Sequence, residues 1–176
     1  MRRALVVAHP DDESLWFGGL LIAEPGDWTV IACSIPSADP IRAWKFFDAC
    51  DILGARARLL PFEETALRLE HLDLSGFDQV VTHSAAGEYG HAHHQMVHRH
   101  VALRCAGRAL VGLYGMPGAQ TQDKVIALAD EQWARKAAAI AAYDHVSPTD
   151  GRPKGEALIA RYGRQFNLRV ERYARA

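Results

Sequence analysis

The chain has 176 residues, 49% of them hydrophobic, and its 20 Lys and Arg residues nearly balance its 21 Asp and Glu residues. That length and apolar fraction are typical of one globular domain, 1–176, with a sizeable core. The charge balance gives no reason to expect nucleic acid or an anionic membrane as a partner. Three scattered cysteines in apolar segments favour buried thiols and a cytoplasmic location. The apolar run before His9 is too short for a membrane span.

The first predicted elements alternate between strand and helix. A buried strand ends at Pro10, because proline cannot donate to a sheet ladder. A helix is predicted over 15–23, with Ser14 as its N-cap, and a strand over 28–33. The next helix runs over 40–53, because Asp39 is a suitable N-cap and Gly54 a suitable C-terminal stop.

The remaining elements continue the alternation. Residues 56–60 predict an edge strand and 77–82 a further strand, followed by a helix over 95–105 and a strand over 110–114. A strand is expected over 124–129, an alanine-rich helix over 130–143, a weaker helix over 155–162 and a last strand over 165–173. Strands separated by helices indicate a Rossmann-like, mostly parallel α/β sheet with helices on both faces. The first strand lacks the glycine pattern of a nucleotide-binding turn.

The loop after the first strand concentrates negative charge. Asp11, Asp12 and Glu13 stand side by side after His9. Polar residues at the carboxyl end of such a strand lie where α/β proteins bind ligands. Adjacent carboxylates repel one another unless a cation offsets their charge. The loop therefore indicates a metal site or, alternatively, an acidic cap on the next helix.

A second polar segment follows the strand at 77–82 and is rich in histidine. On a helix, His91, His94 and His98 share one face, whereas His93 and His100 point elsewhere. We expect one metal to be bound by the three residues His9, Asp12 and His94. Two nitrogens and one oxygen leave positions open, which is typical of catalytic zinc, although Fe(II) accepts the same ligands.

Together these segments resemble the PIG-L/LmbE family of zinc-dependent N-acetylglucosaminyl deacetylases. The resemblance is carried by Ala-His-Pro-Asp-Asp-Glu at 8–13, the glycine pair at 18–19 and Gly-Glu-Tyr-Gly-His-Ala-His-His at 87–94. It implies the same three ligands and fold. It also implies that Asp11 is the general base for water activated by zinc, and that His91, as an imidazolium, stabilises the oxyanion or protonates the leaving amine. Asp11 could instead be a weaker metal ligand, and Glu13 is expected to hydrogen-bond the loop.

Four other residues are candidates for the same site. Tyr89 could donate to the oxyanion or simply pack on the loop. Arg42, Glu88 and His83 are expected to contact the substrate, although Arg42 could be structural. The chain departs from the family where His93 replaces its usual Asp, and where the loop at 33–39 is short.

The resemblance implies a substrate class. We expect an N-acetylglucosamine-type sugar or glycoconjugate to lose its N-acetyl group, with extended forms preferred over the free sugar because the loop is short. Two alternatives stay open. One is a zinc amidohydrolase of a non-sugar amide, and the other is a catalytically silent module that binds sugar or metal.

Overall fold

A computed structural model describes residues 1–35, 39–113, 122–146 and 155–175. The strands are β1 (Arg3–Val7), β2 (Trp28–Ala32), β3 (Arg56–Leu59), β4 (Gln79–Thr82), β5 (Ala109–Gly112), β6 (Lys124–Ala127) and β7 (Val170–Arg175). They form one sheet in the order β3-β2-β1-β4-β5-β7-β6. The pairs from β3 to β5 are parallel, whereas β7 runs antiparallel to both β5 and β6. The predicted mostly parallel sheet, with β3 at its edge, is confirmed.

Six helices accompany the sheet in the described residues. They are α1 (Asp12–Ala23), α2 (Pro40–Leu53), the short and distorted α3 (Gly87–Gly90), α4 (Ala92–Arg104), α5 (Asp130–Ala141) and α6 (Glu156–Gly163). The predicted ends of α2 are confirmed: Asp39 accepts a hydrogen bond from the backbone N–H of Arg42, and Gly54 closes the helix with φ of 77°. Within the described segments, no helix is long and apolar enough to cross a bilayer.

Both helices that carry the motifs begin earlier than predicted. Helix α1 starts at Asp12, because the Asp11 carbonyl already accepts the backbone N–H groups of Ser14 and Leu15. Ser14 is therefore not the cap, and its hydroxyl donates to Glu13 instead. Helix α4 starts at Ala92 rather than at 95. The motif residues of these two helices therefore lie in their first turns, next to the carboxyl ends of the strands.

The end of the chain also differs from the prediction. Residues 165–169 form turns, because the backbone N–H groups of Gln165 and Phe166 both donate to the Tyr162 carbonyl. The last strand therefore begins at Val170 rather than at 165. Tyr114, the predicted end of the fifth strand, lies outside the described residues.

Helices cover both faces of the sheet. Successive strand residues point to opposite faces, and β1 divides accordingly between two hydrophobic clusters. Leu5 and Val7 pack in one cluster with residues of α1, α2 and α5, whereas Ala4 and Val6 pack in the other with residues of α4. Val6 of β1 is paired with Thr82 of β4. The loops that follow these two strands, and carry the two polar motifs, therefore meet at one sheet edge.

The glycine pair of α1 packs closely on its neighbours. A Cβ atom on Gly19 would lie 2.6 Å from Oε1 of Glu171 on β7, and one on Gly18 would lie 3.1 Å from Lys136 of α5. Glu171 and Lys136 form a fully buried ion pair at 2.6 Å. The Glu171 carboxylate also accepts the backbone N–H groups of Gly19 and Leu20. These contacts fasten the C-terminal strand to the helix that begins at the acidic loop.

Candidate metal centre

The three predicted ligands lie together at the carboxyl ends of β1 and β4. His9 Nδ1 is 3.3 Å from Asp12 Oδ2, and Asp12 Oδ1 is 3.3 Å from His94 Nε2. All three side chains are buried. Ligands bound to one zinc ion at about 2.0–2.1 Å in tetrahedral geometry stand roughly 3.4 Å from each other. The spacing of this group therefore suits one metal ion.

The hydrogen bonds of His94 leave its Nε2 aimed at a carboxylate. Its Nδ1 donates to Glu88 Oε2 at 2.6 Å, so the lone pair of the neutral ring is on Nε2. This Nε2 is buried, faces Asp12 and has no hydrogen-bond partner among the described residues. Burial alone would lower the pKa of His94, but Asp12 and Glu88 raise that pKa to about 10. At this position a proton or a metal ion on Nε2 would offset the charge of Asp12.

The buried carboxylates of Asp12 and Glu88 indicate which cation would balance the charge of the site. In the described parts of the chain, the ion pairs of Asp12 and Glu88 all go to imidazoles and none to Lys or Arg. Buried carboxylates without a compensating charge are costly. Two carboxylates match the two charges of a divalent cation, and the mixture of nitrogen and oxygen ligands suits Zn²⁺ or Fe²⁺.

A second group of histidines overlaps the first. His9 Nε2 lies 3.0 Å from His93 Nδ1, and these two rings form, with His91, another cluster that could hold a cation. The expectation that His93 points elsewhere is wrong, because α4 begins early enough to turn this side chain toward the loop. His9 thus presents one nitrogen to Asp12 and the other to His93.

Asp11, the predicted general base, lies beside the ligands in an unusual backbone conformation. Its φ of 99° is in the left-handed region, where non-glycine residues are strained. Arg42 Nη2 is 2.8 Å from Asp11 Oδ2. Burial raises the pKa of Asp11, Arg42 opposes that rise, and the charge of Asp12 adds to it. The predicted base is thus buried, oriented and paired with the guanidinium of Arg42.

Arg42 is held within the protein rather than presented to a ligand. Its Nε donates to the Pro10 carbonyl at 2.7 Å, and its Nη1 donates to Glu64 at 3.2 Å. Only 15% of its side chain is exposed. The sequence pattern gave no signal of the contact with Asp11, and the expected contact of Arg42 with substrate stays a prediction.

Glu13 supports the same loop, as expected from its position. Its Oε2 accepts the backbone N–H of Asp11 at 3.0 Å, and its Oε1 accepts the hydroxyl groups of Ser14 and Tyr143. Burial raises the pKa of Glu13 to about 7. The contribution of Tyr143, from the turn that follows α5, has no signal in the sequence.

Glu88 and His83 lie behind the ligands and not on the pocket surface. Glu88 Oε2 accepts His83 Nδ1–H at 3.0 Å as well as His94, and Oε1 accepts the backbone N–H of Ser84 at 2.9 Å. His83 Nε2 accepts the backbone N–H of Ala8 at 2.9 Å. Their relative exposures are 2% and 0%. The prediction that they contact substrate is therefore corrected, because their polar atoms are used inside the protein.

His91 stands at the start of α4 with its ring half-buried. The ring stacks on His94 at 4.5 Å, and Nδ1 accepts the backbone N–H of His93 at 3.3 Å. The proton of the neutral ring is therefore on Nε2. Burial, followed by the charges of His94 and His9, lowers the pKa of His91 to about 4. That lowered pKa favours a neutral ring with one N–H donor, and the expected imidazolium role of His91 stays a prediction.

Tyr89 lies at the mouth of the same site. Its side chain is 39% exposed, and its ring is 5.7 Å from that of His91 and 5.4 Å from that of Tyr162. The two readings of Tyr89, donor or packing aromatic, are both compatible with this position. Residues 36–38 of the short loop at 33–39 lie outside the described residues.

The chain has a recognisable relative among curated proteins. No family model matches the chain. Uncharacterized protein L374 of Acanthamoeba polyphaga mimivirus is 25% identical in an alignment of 122 residues, with a coverage of 54% of this chain and 54% of that protein. The chain thus spans about half the length of the curated relative it matches.

Comparison with solved structures gives a consistent architecture. The A40926 pseudoaglycone deacetylase Dbv21 is 18% identical, with a TM-score of 0.66 over 99% of this chain and 97% of its own. N,N'-diacetylchitobiose deacetylase from Pyrococcus horikoshii is 14% identical, with a TM-score of 0.62 over 98% and 83%. GalB, the 4-carboxy-2-hydroxymuconate hydratase of Pseudomonas putida KT2440, is 16% identical, with a TM-score of 0.62 over 98% and 95%. At these identities the likeness establishes a shared fold, and the architecture implied by the PIG-L/LmbE resemblance is confirmed.

Proposed function

We propose that this protein is a metal-dependent hydrolase that removes the N-acetyl group from an N-acetylglucosamine-type sugar or glycoconjugate. The observation that carries the proposal is the pair of facing acceptors, Asp12 Oδ1 and His94 Nε2, which are 3.3 Å apart, a spacing that suits two ligands of one metal ion. Asp11 lies next to this pair in sequence and in space. Two deacetylases with the same fold, one named for A40926 pseudoaglycone and one for N,N'-diacetylchitobiose, support this choice of reaction.

Three residues would hold the cation. His9, Asp12 and His94 supply two nitrogens and one oxygen, and the bound Zn²⁺ or Fe²⁺ would supply Lewis acidity toward the amide carbonyl and acidify water. Three protein ligands leave positions open for substrate, as in catalytic rather than structural sites.

The chain's own residues account for the proton transfers. Hydrolysis joins a water oxygen to the acetyl carbon and breaks the C–N bond, which releases acetate and a free amine. Asp11 accepts the proton of the attacking water at its carboxylate, and then returns that proton to the amine nitrogen as the C–N bond breaks. Arg42 keeps Asp11 ionised and oriented before the attack.

The oxygen that becomes negative also needs a donor. His91 provides its Nε2–H as a neutral hydrogen-bond donor, and Tyr89 provides a further hydroxyl at the mouth of the site. Donors already placed where charge develops lower the barrier, because they need no reorganisation during the reaction.

Release of acetate from a panel of N-acetylated compounds tests this proposal. The panel contains free N-acetylglucosamine, its glycosides and nucleotide-linked forms, and non-sugar acetamides, each with wild type and Asp11→Asn. We expect an extended acetamido sugar to have the highest kcat/KM, because remote groups supply binding energy used at the amide. Cleavage of a non-sugar amide alone would favour the amidohydrolase alternative. Metal binding without cleavage of any amide would favour the silent module.

A further inference from the structure

A continuous series of hydrogen bonds lies behind the candidate metal ligands. The backbone N–H of Ala8 donates to His83, His83 donates to Glu88, and His94 donates to the same Glu88 oxygen. The second Glu88 oxygen accepts the backbone N–H of Ser84. The series thus links the residue before His9 to the ring of His94.

Glu88 occupies a position where the backbone itself favours glycine. Its φ is 58°, in the left-handed region, and the glycines on either side of the Glu-Tyr pair, Gly87 and Gly90, also have positive φ. Its backbone N–H donates to the Ser84 hydroxyl, which fixes the turn. A glutamate in this conformation is accounted for by its side chain, because both carboxylate oxygens are occupied by buried donors.

The shorter of the two imidazole contacts goes to the candidate ligand. His94 Nδ1 is 2.6 Å from Glu88 Oε2, compared with 3.0 Å for His83 Nδ1. An acceptor on the far nitrogen of a ligating histidine fixes its tautomer and ring orientation, and strengthens the near nitrogen as a ligand. We propose that Glu88 is a positioning residue that sets the metal affinity of His94, and that His83 is a neutral spacer that fixes Glu88.

This inference rests on the proposed metal site but not on the proposed reaction. A merely structural Glu88 would change the stability of the fold and leave the affinity of folded protein for metal as it is. A positioning Glu88 changes the affinity itself. The two roles are therefore separated by measuring metal affinity and thermal stability on the same variants.

The variants are Glu88→Gln, which keeps the shape and removes the charge, and Glu88→Gly, which also relaxes the positive φ. The dissociation constant for Zn²⁺ is measured by competition with a chelator, and Tm is measured without metal. We expect Zn²⁺ binding about 10–100-fold weaker in both variants. Glu171→Gln is the matched control, because it alters a buried carboxylate away from the site. It should lower Tm and leave the dissociation constant unchanged.

An unchanged dissociation constant in Glu88→Gly would overturn the inference, whatever the panel of acetamides shows. If neither Glu88 variant folds, NMR of the wild type loaded with Cd²⁺ gives a second test. Coupling of the metal to Nε2 of His94, with Nδ1 still protonated, is the expected result. Coupling to Nδ1, or a wild type that binds neither Zn²⁺ nor Cd²⁺, would overturn it.

Discussion

The contact between Arg42 and Asp11 provides a direct test of whether Asp11 is the general base. Arg42 Nη2 is 2.8 Å from Asp11 Oδ2, and the two side chains are 15% and 9% exposed. At an effective dielectric constant of about 20, this separation gives an attraction of about 6 kcal/mol before desolvation is subtracted. Asp–Arg pairs at such distances lower the carboxyl pKa by about 1–3 units. Arg42 is therefore expected to keep Asp11 ionised at a lower pH than burial alone would allow.

Arg42→Gln should shift the low-pH side of the kcat/KM profile against pH, its acid limb, to higher pH by about 1–3 units. The sign follows from the chemistry: an acid that loses a cationic neighbour has a higher pKa, and the base form then needs a higher pH. The assay is acetate release across the pH range with metal-saturated enzyme. Well above the limb, KM should change little, because Arg42 is used on Asp11, Pro10 and Glu64.

The matched control is Glu64→Gln, which removes the competing partner of Arg42. It should leave the acid limb in place or move it slightly downward. A rise in KM for Arg42→Gln with an unmoved acid limb would refute the reasoning. That result would restore Arg42 to the substrate-contact role suggested by the sequence.

Three further predictions follow from particular contacts. Asp11→Asn should keep its metal and lose about 10²–10⁴-fold in kcat, measured by metal analysis and acetate release; activity within a few-fold of wild type would exclude Asp11 as the base. His91→Gln should leave the high-pH side of the kcat/KM profile unchanged, because the pKa of His91, about 4, keeps its ring neutral at high pH. A shift of the high-pH side in this variant would show that His91 titrates at high pH. Lys136→Met leaves the buried charge of Glu171 without its cationic partner and should lower the free energy of unfolding by about 3–5 kcal/mol. Adding Glu171→Gln should restore part of that stability. No recovery in denaturant titrations would contradict the ion-pair account.

Local patterns were enough to predict the architecture. The apolar run at β1, the Asp39 cap and the Gly54 stop each depend on neighbours in the sequence, and each is found in the structure. The parallel pairing of β1 with β2, β2 with β3 and β4 with β5 agrees with the helices between them, whereas the antiparallel pairing of β7 was not predicted. The early start of α4 was missed because a histidine cap, His91 accepting the N–H of His93, carries a weaker signal than Ser, Thr or Asp.

The roles of polar residues were harder to predict, because their partners are distant in sequence. Arg42 could pair with a ligand or with Asp11, and only the packing of α2 against the acidic loop decides between them. The inward direction of Glu88 could not be predicted, because in a sequence only glycine signals a residue with positive φ. Its φ of 58° turns the carboxylate inward, toward His83 and His94. The three expected ligands lie together because both motifs follow strands that are neighbours in the sheet, and their binding of a metal stays a prediction.

The position of a bound metal ion tests the central claim most directly. Crystals grown with Zn²⁺ give an anomalous difference map at the zinc absorption edge. We predict one strong peak within bonding distance of His9 Nδ1, an Asp12 carboxylate oxygen and His94 Nε2, the group whose donors face one another at 3.3 Å. A single peak at His91 and His93 instead, or no peak from fully loaded protein, would contradict this account.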